Sequence, residues 1–213
     1  MTEAGTITVT ARVAFGTKDV LKGLKPLFKA ERERARKLAR SPEWSASGLP
    51  GREAAAKRAQ WAMYKEHLRE RAELVDTLDV LVTCGVRAEL AERGWDHEWP
   101  PLPQQALIPG RWPGSRDGAW PEGVTVRLPS TLVNTVWSAC WHTSADAIEH
   151  LRDWRDKHPD ALPTRPFRSR SEDEALAEYD RLAARVTTTG EIWRAAIKRG
   201  IESEPVIRAR VAS

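Results

Sequence analysis

"TITVTARVAFGTKDVLKGLKPLFKAERERARKLAR", residues 6 to 40, changes its apolar period in the middle, and that change decides the fold class. Ile7, Val9, Ala11, Val13 and Phe15 alternate with Thr8, Thr10, Arg12 and Ala14, a period of two rich in β-branched residues that predicts a half-buried strand. After Gly16 the apolar positions Val20, Leu21, Leu24, Leu27, Phe28, Ala35 and Leu38 recur at helical spacing as far as Arg40. Pro26 either starts a second helix or kinks the first. A strand that feeds directly into helices points to an α+β fold.

The remaining segments extend this layout. "SPEWSASGLPG", residues 41 to 51, reads as a loop. A long helix is expected from Arg52 to about Thr83, with Ala54, Trp61, Tyr64, Leu68, Val75, Leu78 and Val82 on one stripe, interrupted by Gly85. A short helical piece then ends at Gly94. Residues 94 to 123 hold six prolines, five glycines and four tryptophans without periodicity, an irregular connector of the length that usually accompanies function. "VTVRL", residues 124 to 128, reads as a second strand.

From 130 to 158 the residues Val133, Val136, Trp137, Cys140, Ala147, Ile148, Leu151 and Trp154 share one helical face, and Thr143 and Ser144 with Asp146 can cap a second helix inside the segment. Ser171 and Glu174 form a capping box for a helix to about Val186, and "EIWRAAIKRG" forms another. In "EPVIRARVAS", Val206, Arg208 and Arg210 alternate with Ile207, Ala209 and Val211, which predicts a terminal strand. The expected architecture is a predominantly helical α+β fold, a bundle with a small sheet of N-terminal, central and C-terminal strands. Residues 1–93 and 124–213 pack as one unit, joined by the connector 94–123.

Composition narrows the function classes. The chain of 213 residues is 41% apolar and 30% charged, which suits a globular protein. No apolar run approaches the roughly 20 residues a membrane-crossing helix needs, and "MTEAGTITVTARV" lacks a signal pattern, so a cytoplasmic protein without a membrane partner is expected. Thirty-four Lys and Arg against 30 Asp and Glu leave a net charge of +4, which permits a polyanionic partner without requiring one. Ten tryptophans against three phenylalanines and two tyrosines serve either a core or platforms on which bases stack.

Catalytic signatures are lacking. Cys84 and Cys140 have no CxxC spacing and lie in apolar runs, which raise a thiol pKa. His142, Asp146 and His150 follow at i, i+4 and i+8, a spacing that can hold a metal, but the same positions suit a solvated polar face. The chain contains no GxGxxG, GxxxxGK[ST], HExxH or GxSxG motif. A non-enzymatic protein with no metal and no cofactor is therefore the expectation.

What remains is basic and aromatic. Lys29, Arg32, Arg34, Arg36, Lys37 and Arg40 form one cluster, Arg165, Arg168 and Arg170 a second in an extended, proline-spaced segment, and Arg194, Lys198 and Arg199 a third. Extended arginines can each reach a different phosphate. The leading expectation is a nucleic-acid-associated accessory protein of a bacterium, phage or mobile element. Arg34, Arg36, Lys37, Arg165, Arg168 and Arg170 would contact phosphates of DNA or RNA, and Trp112 or Trp120 would stack on bases. The alternative is a protein-interaction adaptor that docks on a recombinase, polymerase or similar DNA-transaction enzyme through the Trp-rich connector and modulates it.

The strand "TITVTARVAF", the helical "LPSTLVNTVWSACWHTSADAIEHLRDW" and the basic "PTRPFRSR" occur in an order that resembles the N-terminal, non-catalytic region of TnpB-like (OrfB family) transposon nucleases and compact type V CRISPR effectors. The resemblance covers residues 6 to 15 and 128 to 170. It implies a region that binds a guide RNA and the nucleic acid it pairs with. The catalytic aspartate motif and zinc ribbon of that family are missing here, so the resemblance implies binding without cleavage.

Overall fold

The computed structural model describes residues 5–106, 120–159 and 170–212. In chain order these form β1 (Thr6–Val13), α1 (Thr17–Gly23), α2 (Lys25–Ala39), α3 (Gly51–Glu70), α4 (Leu78–Glu92), a short 3-10 turn (Gln104–Ala106), β2 (Glu122–Pro129), α5 (Ser130–Thr143), α6 (Ala145–Lys157), α7 (Arg170–Ala183), α8 (Thr189–Glu202) and α9 (Glu204–Ala212). The fold is the predominantly helical α+β arrangement expected, with a two-stranded antiparallel sheet.

The strands pair from Thr6 opposite Pro129 to Val13 opposite Glu122. Their alternation works as a half-buried sheet requires: Val9, Ala11 and Val13 join Val124, Val126 and Leu128 in the core, while Thr10 and Thr125 share a hydroxyl hydrogen bond of 3.1 Å on the outer face. Leu81, Val82 and Val86 of α4, Val133 and Val136 of α5, Ile192, Ala196 and Ile197 of α8, and Leu24, Leu27 and Phe28 complete the main core. This core draws on both ends of the chain. A satellite cluster lies between α6 and α7, where the Trp154 indole donates to the Ala175 carbonyl at 2.9 Å.

Pro26 falls in the first turn of α2, where its missing N–H costs nothing, so it opens a helix instead of kinking one. Ser144 separates α5 from α6, and Trp141 is buried at the junction.

Three sequence expectations are corrected. The C-terminal segment is helix α9 and not a third strand. Ile207 and Val211 are four residues apart, so a helix places both against the main core, and Arg208 pairs with Glu204 one turn earlier. The expected long helix breaks at residues 71 to 77 and not at Gly85: Ala72 takes a left-handed φ of 57°, the Leu68 carbonyl accepts from the N–H groups of Glu73 and Leu74, and the Thr77 hydroxyl caps α4 through Val80. Gly85 lies inside α4, at its crossing with α8. Finally, β1 stops at Val13, which leaves Phe15 87% exposed instead of on the buried face.

Candidate nucleic-acid interface

Helix α2 sorts its charges by direction. Leu27, Phe28, Glu31 and Ala35 point into the protein. At about 100° per residue, Lys25, Lys29, Arg32, Arg36 and Arg40 then fall within an arc of about 80° on an exposed flank beside that buried face, at spacings of four, three, four and four. All five are exposed, and the row is about 22 Å long at 1.5 Å per residue. Among the described residues, Lys25, Lys29, Lys37 and Arg40 have no carboxylate partner, whereas Arg36 pairs with Glu33 at 2.5 Å. Arg32 donates one N–H to the Asp76 carbonyl at 2.8 Å.

Arg34 is half-buried. It grips the fully buried Glu31 with two hydrogen bonds of 3.2 Å and also donates to the Glu73 carbonyl. The other Glu31 duty is to accept the Val75 N–H at 3.0 Å. Close by, Asp76 is held by Arg69 at 2.8 Å and by Lys65 at 3.1 Å. These groups clasp α2 to the turn between α3 and α4, and Arg34 is part of that clasp.

The end of the sheet at Val13 and Glu122 forms a second feature. Beyond the last pair, Val13 and Glu122, the chain continues two residues on each side to Phe15 and Trp120. Glu122 fastens this end, accepting the Gly16 N–H at 3.2 Å and the Lys18 N–H at 2.9 Å. Gly16 has a φ of +84°, which a side chain would strain. Trp120 is 37% exposed, and the Arg194 guanidinium of α8 lies 4.4 Å from its ring centroid, a cation–π arrangement. Arg194 also donates to the Arg12 carbonyl at 3.4 Å. The structure thus joins Trp120 to Arg194, which the sequence placed in separate groups.

Of the other expected site residues, Trp112, Arg165 and Arg168 lie outside the described residues. Arg170 opens α7, and its side chain is also outside them. In the third basic cluster, Arg199 is committed to Glu89 at 2.6 Å and to Glu92, and Lys198 faces Glu202 at 3.7 Å. Sequence reading missed two residues. Lys25 completes the α2 row at regular helical spacing, a signal that periodicity carries. Phe15 is revealed by the glycine after it, which ends the strand.

The remaining chemistry is held in structural contacts. His142 bonds the Pro100 carbonyl at 3.0 Å, His150 the Asp146 carbonyl at 2.7 Å, and the Asp146 carboxylate pairs with Arg185 at 2.6 Å. Among the described residues no group of three or more His, Cys, Asp or Glu side chains stands together to hold a metal. Burial pushes the Cys84 thiol up and the Cys140 thiol up to about 12, the reverse of what a nucleophile needs. A cleft of about 330 Å³ is lined by Arg69, Arg87 and Arg127. Its arginines are taken up by Asp76 and Glu66, by the Glu70 carbonyl at 3.0 Å, and by Asp79 at 3.7 Å. No helix of the described residues is long and apolar enough to cross a membrane.

Set against known proteins, the chain matches no family model, no curated protein and no solved structure.

Proposed function

We propose that the protein is a non-enzymatic, nucleic-acid-associated accessory factor that lies along a phosphate backbone through α2. The observation that carries this reading is the row Lys25, Lys29, Arg32, Arg36 and Arg40, five exposed cations on one arc of which, among the described residues, only Arg36 is paired with a carboxylate. A row about 22 Å long spans several backbone phosphates, and each cation that neutralises one releases a condensed counterion. The resemblance in element order to the binding region of TnpB-like nucleases points the same way and favours a mobile element, phage or bacterium as the setting. The adaptor alternative draws on the 94–123 connector, of which 107–119 lie outside the described residues.

The test is fluorescence anisotropy with labelled single- and double-stranded oligonucleotides across a salt series. The logarithm of affinity should fall with the logarithm of salt at a slope of about −3 to −4, since each neutralised phosphate contributes about −0.7 on single strands and −0.9 on duplex. Lys29→Glu combined with Arg40→Glu should flatten the slope by more than 1. Binding that is absent, or insensitive to salt, rejects the reading.

A further inference from the structure

Phe15 is the most exposed large apolar side chain among the described residues, and it is fixed in place. Val13 is paired in the sheet just before it, the Thr17 N–H bonds the Ala14 carbonyl at 3.2 Å, and Glu122 accepts the two N–H groups of Gly16 and Lys18. A bare phenyl ring on a fastened turn gains nothing from folding. Its exposure makes sense as a contact prepared in advance, where little ordering remains to oppose binding.

Other aromatic groups are already occupied. Trp44 stacks on Tyr64 at 4.5 Å with Lys57 over its ring, and Trp99 has His97 at 4.3 Å and His142 parallel to it at 6.2 Å. Trp120 differs in being exposed with a guanidinium laid on it, and among the described residues Arg194 has no ion-pair partner. Around this end of the sheet stand Arg12, Lys18 and Lys22. The acids there are Asp19, which pairs with Lys22 at 2.7 Å, Glu122, whose two oxygens accept backbone N–H groups, and Glu191, whose charge attracts Arg194 from the same helix.

We infer that this end of the sheet is a stacking site for unpaired nucleotides, with Phe15 as the surface on which a base lies and the Arg194–Trp120 pair as the flanking cationic contact. The inference rests on the nucleic-acid reading and specifies its substrate class. The cationic surroundings favour a polyanion, and in the chain α1, about 10 Å long, is the one element between Phe15 and Lys25 at the start of the α2 row. A paired base is covered on both faces by its neighbours, so only a single strand, loop or frayed end can lay a base on the ring.

The experiment titrates the full chain with a labelled 20-nucleotide oligo-dT, the same oligonucleotide carrying abasic sites in its central half, and a 20-base-pair duplex. Phe15→Ala should weaken oligo-dT binding by about tenfold, the size of one base–aromatic stack, with the salt slope unchanged. Abasic and duplex affinities should stay as in the wild type, and Phe15→Trp should restore the loss. Wild-type protein with no salt-dependent binding would remove the nucleic-acid reading and this inference together. Steep salt dependence with Phe15→Ala binding oligo-dT as tightly as the wild type would overturn the stacking site and leave that reading standing. Loss of a protein partner in Phe15→Ala with unchanged oligonucleotide binding would likewise overturn it.

Discussion

Gly85 of α4 and Ala196 of α8 cross with almost nothing between them: a Cβ on Gly85 would stand 2.1 Å from the Ala196 carbonyl oxygen and 2.9 Å from its carbon. Both atoms are backbone and cannot rotate away. The same crossing brings Gly200 against Leu81, where a Cβ would meet the leucine Cγ at 2.9 Å. Both helices pack on the sheet, α4 on β2 and α8 on β1, so their separation also sets where Arg194 meets Trp120.

Gly85→Ala should therefore destabilise the protein by about 3 kcal/mol, the upper range for overpacking a core, as measured by urea unfolding. Gly200→Ala should cost less, because a side chain yields more readily than a carbonyl. A Gly85→Ala protein as stable as the wild type would mean that the helices do not approach this closely.

Acid should loosen the protein through two carboxylates. Burial pushes Asp76 up, but hydrogen bonds and charge from Arg69 and Lys65 outweigh it and leave the group below its ordinary value. Glu89 follows the same logic, with Arg199 and Arg93 overcoming its burial. A carboxylate whose pKa is lower folded than unfolded binds more protons in the unfolded chain. Its contribution is present above the unfolded value of about 4 and is lost as the pH falls through the lowered folded value. The stability gap between the wild type and Asp76→Asn, open at pH 7, should close as the pH drops below about 4 in urea melts. A gap independent of pH would show that the clasp does not depend on the ionised form.

Much of this was readable in the residues themselves. The threonine–valine alternation of β1, the proline at the start of α2 and the serine between α5 and α6 are local signals, and each specifies its element. Where local signals conflict or fall silent, distant partners decide. Ile207 and Val211 satisfy a strand period and a helical one equally, and it is the core beneath them that selects the helix. The turn at Ala72 contains neither glycine nor proline; it is held by Glu31 and Arg34, some forty residues earlier. The cations of α2 were visible as a group, yet which of them face outward depends on where the helix meets Glu73 and Asp76.

That dependence separates two arginine and lysine roles on one helix. Arg34→Gln removes the one guanidinium that bonds Glu31 among the described residues, and this fully buried carboxylate would retain just the Val75 N–H among its described contacts. Leaving such a charge uncompensated costs about 3 kcal/mol. Lys29→Gln removes an exposed ammonium with no carboxylate partner among the described residues, and its effect on stability should stay within about 0.5 kcal/mol. For oligonucleotide binding by folded protein the order should reverse. Lys29→Gln should reduce the salt slope by about 0.7, the share of one phosphate on a single strand, while Arg34→Gln leaves it unchanged. Urea melts and salt titrations on the same two variants measure both quantities. If Arg34→Gln flattened the salt slope without lowering stability, Arg34 would face the ligand and the clasp to the α3–α4 turn would have to be held by other groups.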